Sequence, residues 1–229
     1  MRENENIKVL YEDNHLIAVN KPTGWLVQGD QTGDETLSDW VKNYIKVRYE
    51  KPGDVFLGVI HRLDRPVSGT IVFARTSKAL ERMNKLFHDR EVQKTYWAIV
   101  NTRPEPLKDK LIHYLLKDPE TNTVRAFNKP KGDAKLAELE YELIGEIGEH
   151  CCLEVNPLTG RPHQIRVQLS KMGYPIRGDL KYGSKVTPRN GAIYLHSRSL
   201  AFEHPIKKEP VLIVADVPRE QIWNLFALK

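Results

Sequence analysis

The stretch VIHRLDRPVSGTIVFART, residues 59–76, places a short charged loop between two β-forming runs. The loop holds one carboxylate, Asp64, between Arg62 and Arg65, and we expect Ser68-Gly69 to shape the turn behind it. Neighbouring guanidinium groups lower the pKa of a carboxyl group and keep it ionised. An ionised carboxylate can act as a nucleophile or a base, but it can equally form a weak surface ion pair. The local sequence leaves both interpretations open.

Outward from this loop, apolar periodicity and turn residues predict a chain of many strands and few helices. Ser77 is the expected cap of the second helix, while Pro162 and Gly173 are expected to begin and end the third. Such an order is typical of an α+β fold with a largely antiparallel, mixed β-sheet core and flanking helices. We expect one domain over residues 1–229, folded as two lobes. The predicted helices cover residues 36–50, 77–90 and 162–172, and the predicted strands cover 7–11, 15–20, 59–60, 70–74, 92–100, 109–117, 122–128, 136–145, 150–155, 192–202 and 211–216.

The amino-acid composition says more about where the protein is found than about its activity. The formal net charge of +5 fits a polyanionic partner such as RNA, and it also fits many ordinary enzymes. Cys151 and Cys152 are adjacent in a predicted strand, where neighbouring side chains point to opposite faces, so they are not expected to pair. The sequence shows neither zinc-ligand spacing nor an apolar run long enough for a membrane span. We therefore expect a reduced, soluble, cytoplasmic protein.

A second polar constellation, NPLTGRPHQIRVQLSKMGYPIRGDLKYG, covers residues 156–183. It presents Arg161, His163, Gln164 and Arg166 around a predicted helix start, where backbone N–H groups attract anions. The alternative is a polar helix edge with a structural histidine.

The strand KTYWAIV, residues 94–100, carries Tyr96 and Trp97 on opposite faces. Most such aromatic side chains belong to a core. A tyrosine beside a cleft could instead stack on a base and use its hydroxyl group in proton transfer.

Taken together and in order, these motifs resemble the RluA-type family of pseudouridine synthases. The resemblance rests on VLYEDNHLIAVNKPTGWLV, HRLDRPVSG, KTYWAIV, TGRPHQIRVQLSKMGYPIRGDLKYG and LHSRSLAFEHP, and it runs from about residue 7 to about residue 218. Val67, Pro162 and Gln168 depart from the residues usual in that family, at positions without an expected chemical role.

The resemblance implies an RNA-modifying enzyme that converts uridine to pseudouridine without a metal or an organic cofactor. It implies that Asp64 starts glycosidic cleavage as nucleophile or base, that Arg166 pairs with Asp64, and that Tyr96 stacks on the uracil. Tyr96 would also help remove the proton from carbon 5, and Arg62 would fill the place of the flipped nucleotide. The two lobes would then surround a central RNA-binding cleft. The expected RNA-binding residues are His61, Arg62, Arg65, Arg161, His163 and Gln164.

Several points stay open at the level of sequence. Ribosomal RNA, transfer RNA and dual specificity are all compatible with the motifs, as is a monomer, although the oligomeric state is not determined. We expect a stand-alone catalytic core, because the resemblance begins at residue 7 and leaves no space for an accessory RNA-binding domain of the ribosomal-protein-S-four type. Two alternatives are a non-catalytic RNA-binding protein on the same fold and an aspartate-dependent glycoside or nucleoside hydrolase. The hydrolase would need a second carboxylate, and Asp179 lies in a stretch that reads as a turn.

Overall fold

The computed structural model describes residues 7–29, 33–187 and 191–227, and the chain divides into two compact units. The first unit consists of Met1–Gln93 and Ser197–Asp216, and the second consists of Lys94–His196 and Val217–Lys229. The expectation of a single catalytic domain stays a prediction.

The first unit is a sheet with two helices. Its strands follow the order β1-β2-β4-β10-β11, with the short β3 paired to β4. The β1–β2, β2–β4, β3–β4 and β10–β11 pairs are antiparallel. The elements are β1 (Val9–Glu12), β2 (Leu16–Lys21), α1 (Leu37–Arg48), β3 (Gly58–Val59), β4 (Ser68–Ala74), α2 (Ser77–His88), β10 (Leu195–Glu203, which enters this unit at Ser197) and β11 (Pro210–Val214).

The core of this unit is built from central strands that are buried on both faces and from the apolar stripe of α2. Every residue of β4 is buried, as expected for a central strand. Met83 of α2 packs in one cluster with Val72 of β4 and Leu200 of β10. The strands that flank Asp64 are therefore anchored in the core.

Threonines cap both helices of the first unit. Thr36 and Asp39 form a reciprocal capping box at the start of α1. The side chain of Thr76 accepts a hydrogen bond from the backbone N–H of Ala79 at the start of α2. The prediction that Ser77 caps α2 was wrong by one position, because Thr76 is the residue that has the extended backbone of a cap.

Gly69 lies within β4 rather than in a turn, which corrects the expected role of Ser68-Gly69. Its φ is +115°, and a Cβ atom there would lie 2.3 Å from the carbonyl oxygen of Ser197 in β10. A glycine is required because the two backbones approach too closely for any side chain.

The second unit is a sheet of antiparallel pairs. The order is β5-β9-β8-β6-β7. Val167 of α3 and Tyr182 pack against one face of this sheet, on Leu115, Val124 and Ala137. The elements are β5 (Gln93–Val100, of which Gln93 belongs to the first unit), β6 (Lys108–Asp118), β7 (Thr123–Phe127), β8 (Lys135–Ile147), β9 (His150–Pro157), α3 (Gln164–Lys171), a short 3-10 helix (Leu180–Tyr182) and α4 (Gln221–Ala227).

The C-terminal helix α4 was not predicted from sequence. Its Trp223 and Phe226 are buried against Ile99 of β5 and Cys152 of β9. Cys151 and Cys152 are both buried free thiols in β9, so the prediction that they do not pair is confirmed.

Helix α3 begins at Gln164, two residues later than Pro162, which corrects the predicted start. The residue before it, His163, has a left-handed backbone with φ of 50°. The predicted end is confirmed, because Gly173 has a φ of +87° and its N–H donates to the carbonyl of Ser170. This is the usual way in which glycine terminates a helix.

The α+β class and the mixed, largely antiparallel β architecture are confirmed. Over the residues that the structure describes, no helix is both long enough and apolar enough to cross a membrane.

Candidate active site

Asp64 lies in the loop that leads into β4, and its side chain is half-buried. The N–H of Val67 donates to the carbonyl of Asp64 at 3.0 Å, which closes a tight turn with Arg65 and Pro66 at its centre. Because Val67 and the strand after it are buried, the turn holds the carboxylate at a fixed distance from the core.

Lys21 braces this turn from the end of β2. Its side chain is fully buried, and its Nζ donates to the carbonyl oxygens of Pro22 at 3.0 Å, Arg65 at 3.2 Å and Val67 at 2.6 Å. Burial lowers the pKa of Lys21 to about 7, and the nearby Asp64 carboxylate acts in the opposite direction. Lys21 was not predicted from the sequence, although a lysine at the end of a largely apolar strand is a signal of a buried charge with a partner.

Three further contacts tie the turn to the loop after β2. The N–H of Gly24 donates to the carbonyl of Arg65 at 2.8 Å, and Arg65 Nε donates to the carbonyl of Gly24 at 3.1 Å. Arg65 Nη2 also lies 2.8 Å from a carboxylate oxygen of Asp34. These contacts give Arg65 a role in holding the loops together, and its contact with RNA stays a prediction.

The other two candidates on this loop have different environments. His61 Nε2 accepts a hydrogen bond from the backbone N–H of Val72 at 3.1 Å, and its ring stacks on Phe87 with 4.9 Å between centroids. His61 thus supports the fold, and its predicted RNA contact is untested. Arg62 is exposed to solvent, as a residue that enters an RNA helix would have to be.

Tyr96 lies in β5 of the second unit, directly opposite Val155 of β9. It is half-buried and lies on the face opposite to Trp97, which packs against the cluster of α4. The predicted division of these two aromatic side chains between the faces of the strand is confirmed.

Arg166 forms a buried ion pair with Asp179. Arg166 Nε lies 2.6 Å from Asp179 Oδ2 and Nη2 lies 2.9 Å from Oδ1, and both side chains are almost inaccessible to solvent. The guanidinium carbon also lies 5.1 Å from the centre of the Tyr182 ring. Such a bidentate contact fixes the plane and direction of a guanidinium group.

Asp179 is the partner of Arg166, and this contact was not predicted from the sequence. The sequence predicts a turn at Asp179, and the turn is present: the N–H groups of Tyr182 and Ser184 donate to the carbonyl of Asp179. The turn presents the Asp179 side chain to Arg166. A lone carboxylate in a glycine-containing turn, thirteen residues after an arginine on a buried helix face, is the signal that could have identified it.

The remaining candidates form an anchored loop before α3. Gln164 is buried, its Oε1 accepts from the Thr159 hydroxyl and the Arg161 N–H, and its Nε2 donates to the carbonyl of Glu138. His163 Nδ1 lies 2.7 Å from the hydroxyl oxygen of Tyr182. Because Gln164 is buried, its position gives no support to a direct contact with RNA. The predicted RNA contacts of Gln164 and His163 both stay predictions.

Asp64 belongs to the first unit, and Tyr96 and Arg166 belong to the second. The pairing of Asp64 with Arg166 therefore stays a prediction, as does the RNA-binding cleft. Among residues 7–29, 33–187 and 191–227, no cluster of three or more His, Cys, Asp or Glu side chains is placed to hold a metal ion.

Comparisons with known proteins agree with this arrangement of motifs. The sequence model of the family described as RNA pseudouridylate synthase matches residues 15–171. The chain is 30% identical to tRNA pseudouridine synthase C of Vibrio cholerae, over 95% of this chain and 93% of that protein. It is 32% identical to ribosomal large subunit pseudouridine synthase C of Vibrio vulnificus, over 90% of this chain but only 64% of that protein's length. The fold is similar to that of human RNA pseudouridylate synthase domain containing 4, with a TM-score of 0.79 at 24% identity, covering 96% of this chain and 92% of that one.

Proposed function

Since the chain belongs to the RNA pseudouridylate synthase family, we propose that it isomerises uridine in RNA to pseudouridine. The observation that carries the proposal is that the family match over residues 15–171 includes Asp64, Tyr96 and Arg166 together. The fold alone would not indicate the reaction, because one fold can serve many functions.

The proposed reaction is an isomerisation with no external reactant. The bond between N1 of uracil and C1′ of ribose breaks, the base turns, and a bond forms between C5 and C1′. The proton leaves C5 and a proton is gained at N1, so atoms and electrons balance. For this chemistry the protein needs to supply a carboxylate, a proton acceptor and a closed, oriented site.

Asp64 is proposed as the group that starts glycosidic cleavage. The turn from Asp64 to Val67 and the bonds from Lys21 hold its backbone rigidly, so that little reorganisation is needed when the sugar arrives.

Arg166 is proposed to aim and neutralise Asp64. Its Nε and Nη2 are bound to Asp179, which fixes the guanidinium group. Nη1 is the nitrogen outside that pair, and in this proposal it meets the Asp64 carboxylate. Asp179 would then act as a positioning residue, since it would reach the reaction only through Arg166.

The target uridine must leave its stack before it reaches the half-buried Asp64 carboxylate, at a cost of a few kcal/mol. Tyr96 is proposed to stack on the flipped uracil and to accept the C5 proton through its hydroxyl group. Exposed Arg62 is proposed to occupy the vacated position, since a guanidinium plane can stack where a base was.

The proposed substrate is structured RNA, either transfer RNA or ribosomal RNA. Relatives of similar identity are named for one or the other, so the names do not select between them. Single-domain organisation, absence of cofactors and a cytoplasmic location belong to the same proposal.

The proposal is tested by mapping pseudouridines across total RNA from cells with and without this chain. We expect one or a few uridine positions to lose their modification, and to regain it on expression of the wild type but not of Asp64→Asn. An identical map in both strains would contradict the proposed function. Release of free uracil from RNA would instead support the hydrolase alternative.

A further inference from the structure

A row of apolar side chains crosses the second unit on the face away from α3. Tyr114 of β6 lies directly opposite Phe127 of β7 on one side and Leu136 of β8 on the other. Directly opposite residues share a face of the sheet and touch. Tyr114 and Phe127 are half-buried, and Leu136 is 37% exposed. We refer to Tyr114, Phe127 and Leu136 as the apolar row.

The other face of the same strands already supplies the core. Leu115, Val124 and Ala137, each next in sequence to a strand position on the outer face, are buried against Val167 and Tyr182. A sheet with one packed face is expected to be polar on the other. An accessible tyrosine, phenylalanine and leucine in register on that outer face therefore call for a reason beyond folding.

Positive charge surrounds the apolar row. Lys131 Nζ lies 4.7 Å from the centre of the Phe127 ring, and Arg125 is exposed two residues from Phe127 on the same face. Arg161 Nε donates to the carbonyl of Leu136 at 3.0 Å. Within the described part of the chain, none of these three cations forms an ion pair with a carboxylate.

Farther along the same face the charges are balanced. Lys110 lies 3.1 Å from Glu138, and Lys108 lies 2.8 Å from Glu142. Around the aromatic rings, by contrast, Arg125, Lys131 and Arg161 form no ion pair within the described residues, so a polyanion would find both phosphate partners and stacking surfaces there.

We propose that the apolar row and its cations form a platform for unpaired nucleotides of the RNA substrate. Bases stack on Tyr114 and Phe127, and phosphates contact Arg125, Lys131 and Arg161. Sheet surfaces with accessible aromatic rings suit single-stranded RNA because every base has a face that can stack. The platform rests on the proposed function for the identity of its ligand, and it would add affinity for sequence beside the target uridine.

The first test measures binding of a twelve-nucleotide oligouridylate by fluorescence anisotropy. Stacking contributes enough per base that Tyr114→Ser combined with Phe127→Ser is expected to weaken binding by about tenfold or more. Tyr114→Phe keeps the stacking surface and is expected to bind like the wild type. Thermal melting of each variant establishes that it is folded.

The second test neutralises single cations beside the apolar row and measures how the RNA affinity depends on salt. Arg125→Gln and Lys131→Gln are each expected to lower the slope of log affinity against log salt by about one. Lys110→Gln, which removes a cation already paired on the same face, is the matched control and is expected to leave the slope nearly unchanged.

Equal binding by the wild type and all of these variants would overturn the platform, and would favour a protein partner for the apolar row. Failure of the proposed function looks different. If the wild type modifies no uridine but binds the oligonucleotide through Tyr114 and Phe127, the platform stands and the enzymatic proposal falls. If the wild type forms pseudouridine but the platform variants bind the oligonucleotide normally, the enzymatic proposal stands and the platform falls.

Discussion

Arg166 and Asp179 form a buried, two-point ion pair, with Nε 2.6 Å from Oδ2 and Nη2 2.9 Å from Oδ1. Helix α3 supplies the arginine, and the turn before the 3-10 helix supplies the aspartate. The pair explains how the direction of a guanidinium group can be fixed within a core, because two hydrogen bonds to one carboxylate hold its plane.

Asp179→Ala leaves the Arg166 charge buried without this partner. We expect the free energy of unfolding to fall by about 3–5 kcal/mol, as is typical when one member of a buried pair is removed. Replacing both residues, as Arg166→Met with Asp179→Leu, is expected to restore much of that stability while activity stays lost. Chemical denaturation and a pseudouridine assay on both variants check this. An active double variant would show that Arg166 has no part in the reaction.

Lys21→Met removes three hydrogen bonds to carbonyl oxygens around the Asp64 turn. A hydrogen bond is worth about 0.5–1.5 kcal/mol net, and more while the lysine is protonated, so we expect a clear loss of stability. We also expect kcat to fall, because the turn is no longer braced. The matched control is Lys46→Met, which changes an exposed lysine of α1. If the variant retained the wild-type kcat, Lys21 would not support the site.

His204 is expected to make the free energy of unfolding depend on pH. Burial lowers the pKa of His204. Its Nδ1 accepts from the N–H groups of Ile206 and Lys207, so a proton cannot be added there without breaking two bonds. As the pH falls through about 6.5, the unfolded chain therefore gains a proton that the folded chain lacks, and stability decreases.

The comparison variant is His204→Asn, whose side-chain oxygen can accept from the same N–H groups but does not titrate. Between pH 7.5 and 5.5 we expect the wild type to lose stability relative to this variant, by at most about 1.4 kcal/mol per pH unit. Urea denaturation at several pH values measures the difference. A difference independent of pH would mean that folding leaves the pKa of His204 unchanged, and a wild type that gained stability as the pH fell would mean that the folded state holds the proton more tightly.

Tyr96 is proposed to have two separable roles. Tyr96→Phe keeps the stacking ring and removes the hydroxyl group, so RNA affinity should persist while the rate falls by about 10²–10⁴, the usual contribution of general acid–base catalysis. Tyr96→Leu removes the ring as well as the hydroxyl group, and should lower both the RNA affinity and the rate. Single-turnover kinetics with deuterium at C5 of uridine separates proton removal from binding. An unchanged rate for Tyr96→Phe, judged against Tyr174→Phe as control, would exclude the hydroxyl group from proton transfer.

The sequence predicted the strands and helices well where periodicity was strong, as in α2 and in the strands of the second unit. It failed at Pro162 and Gly69. Local propensity placed Pro162 at a helix start, but the side chain of Gln164 folds the preceding loop instead. Gly69 resembled a turn residue, but the contact that requires it comes from Ser197, far along the chain.

The site was predictable only in part, because contacts between residues far apart in the sequence also determine its arrangement. Asp64, Tyr96 and Arg166 stand in long motifs, and could be recognised together. The partners that position them, Lys21 and Asp179, act through contacts that depend on folding: a bond from a buried ammonium group to carbonyl oxygens, and a bidentate pair across a turn. The local sequence can mark Lys21 and Asp179 as candidates, but it does not specify which groups they contact.

The most direct test of the account is the release of tritium from C5 of labelled uridine in RNA by the wild type, Asp64→Asn and Asp54→Asn. The last variant changes an exposed carboxylate of the same unit and serves as the control. We predict release by the wild type and by Asp54→Asn, and none above background by Asp64→Asn, with folding and RNA affinity nearly unchanged. Substantial release by Asp64→Asn would contradict the assignment of Asp64 as the residue that begins the reaction.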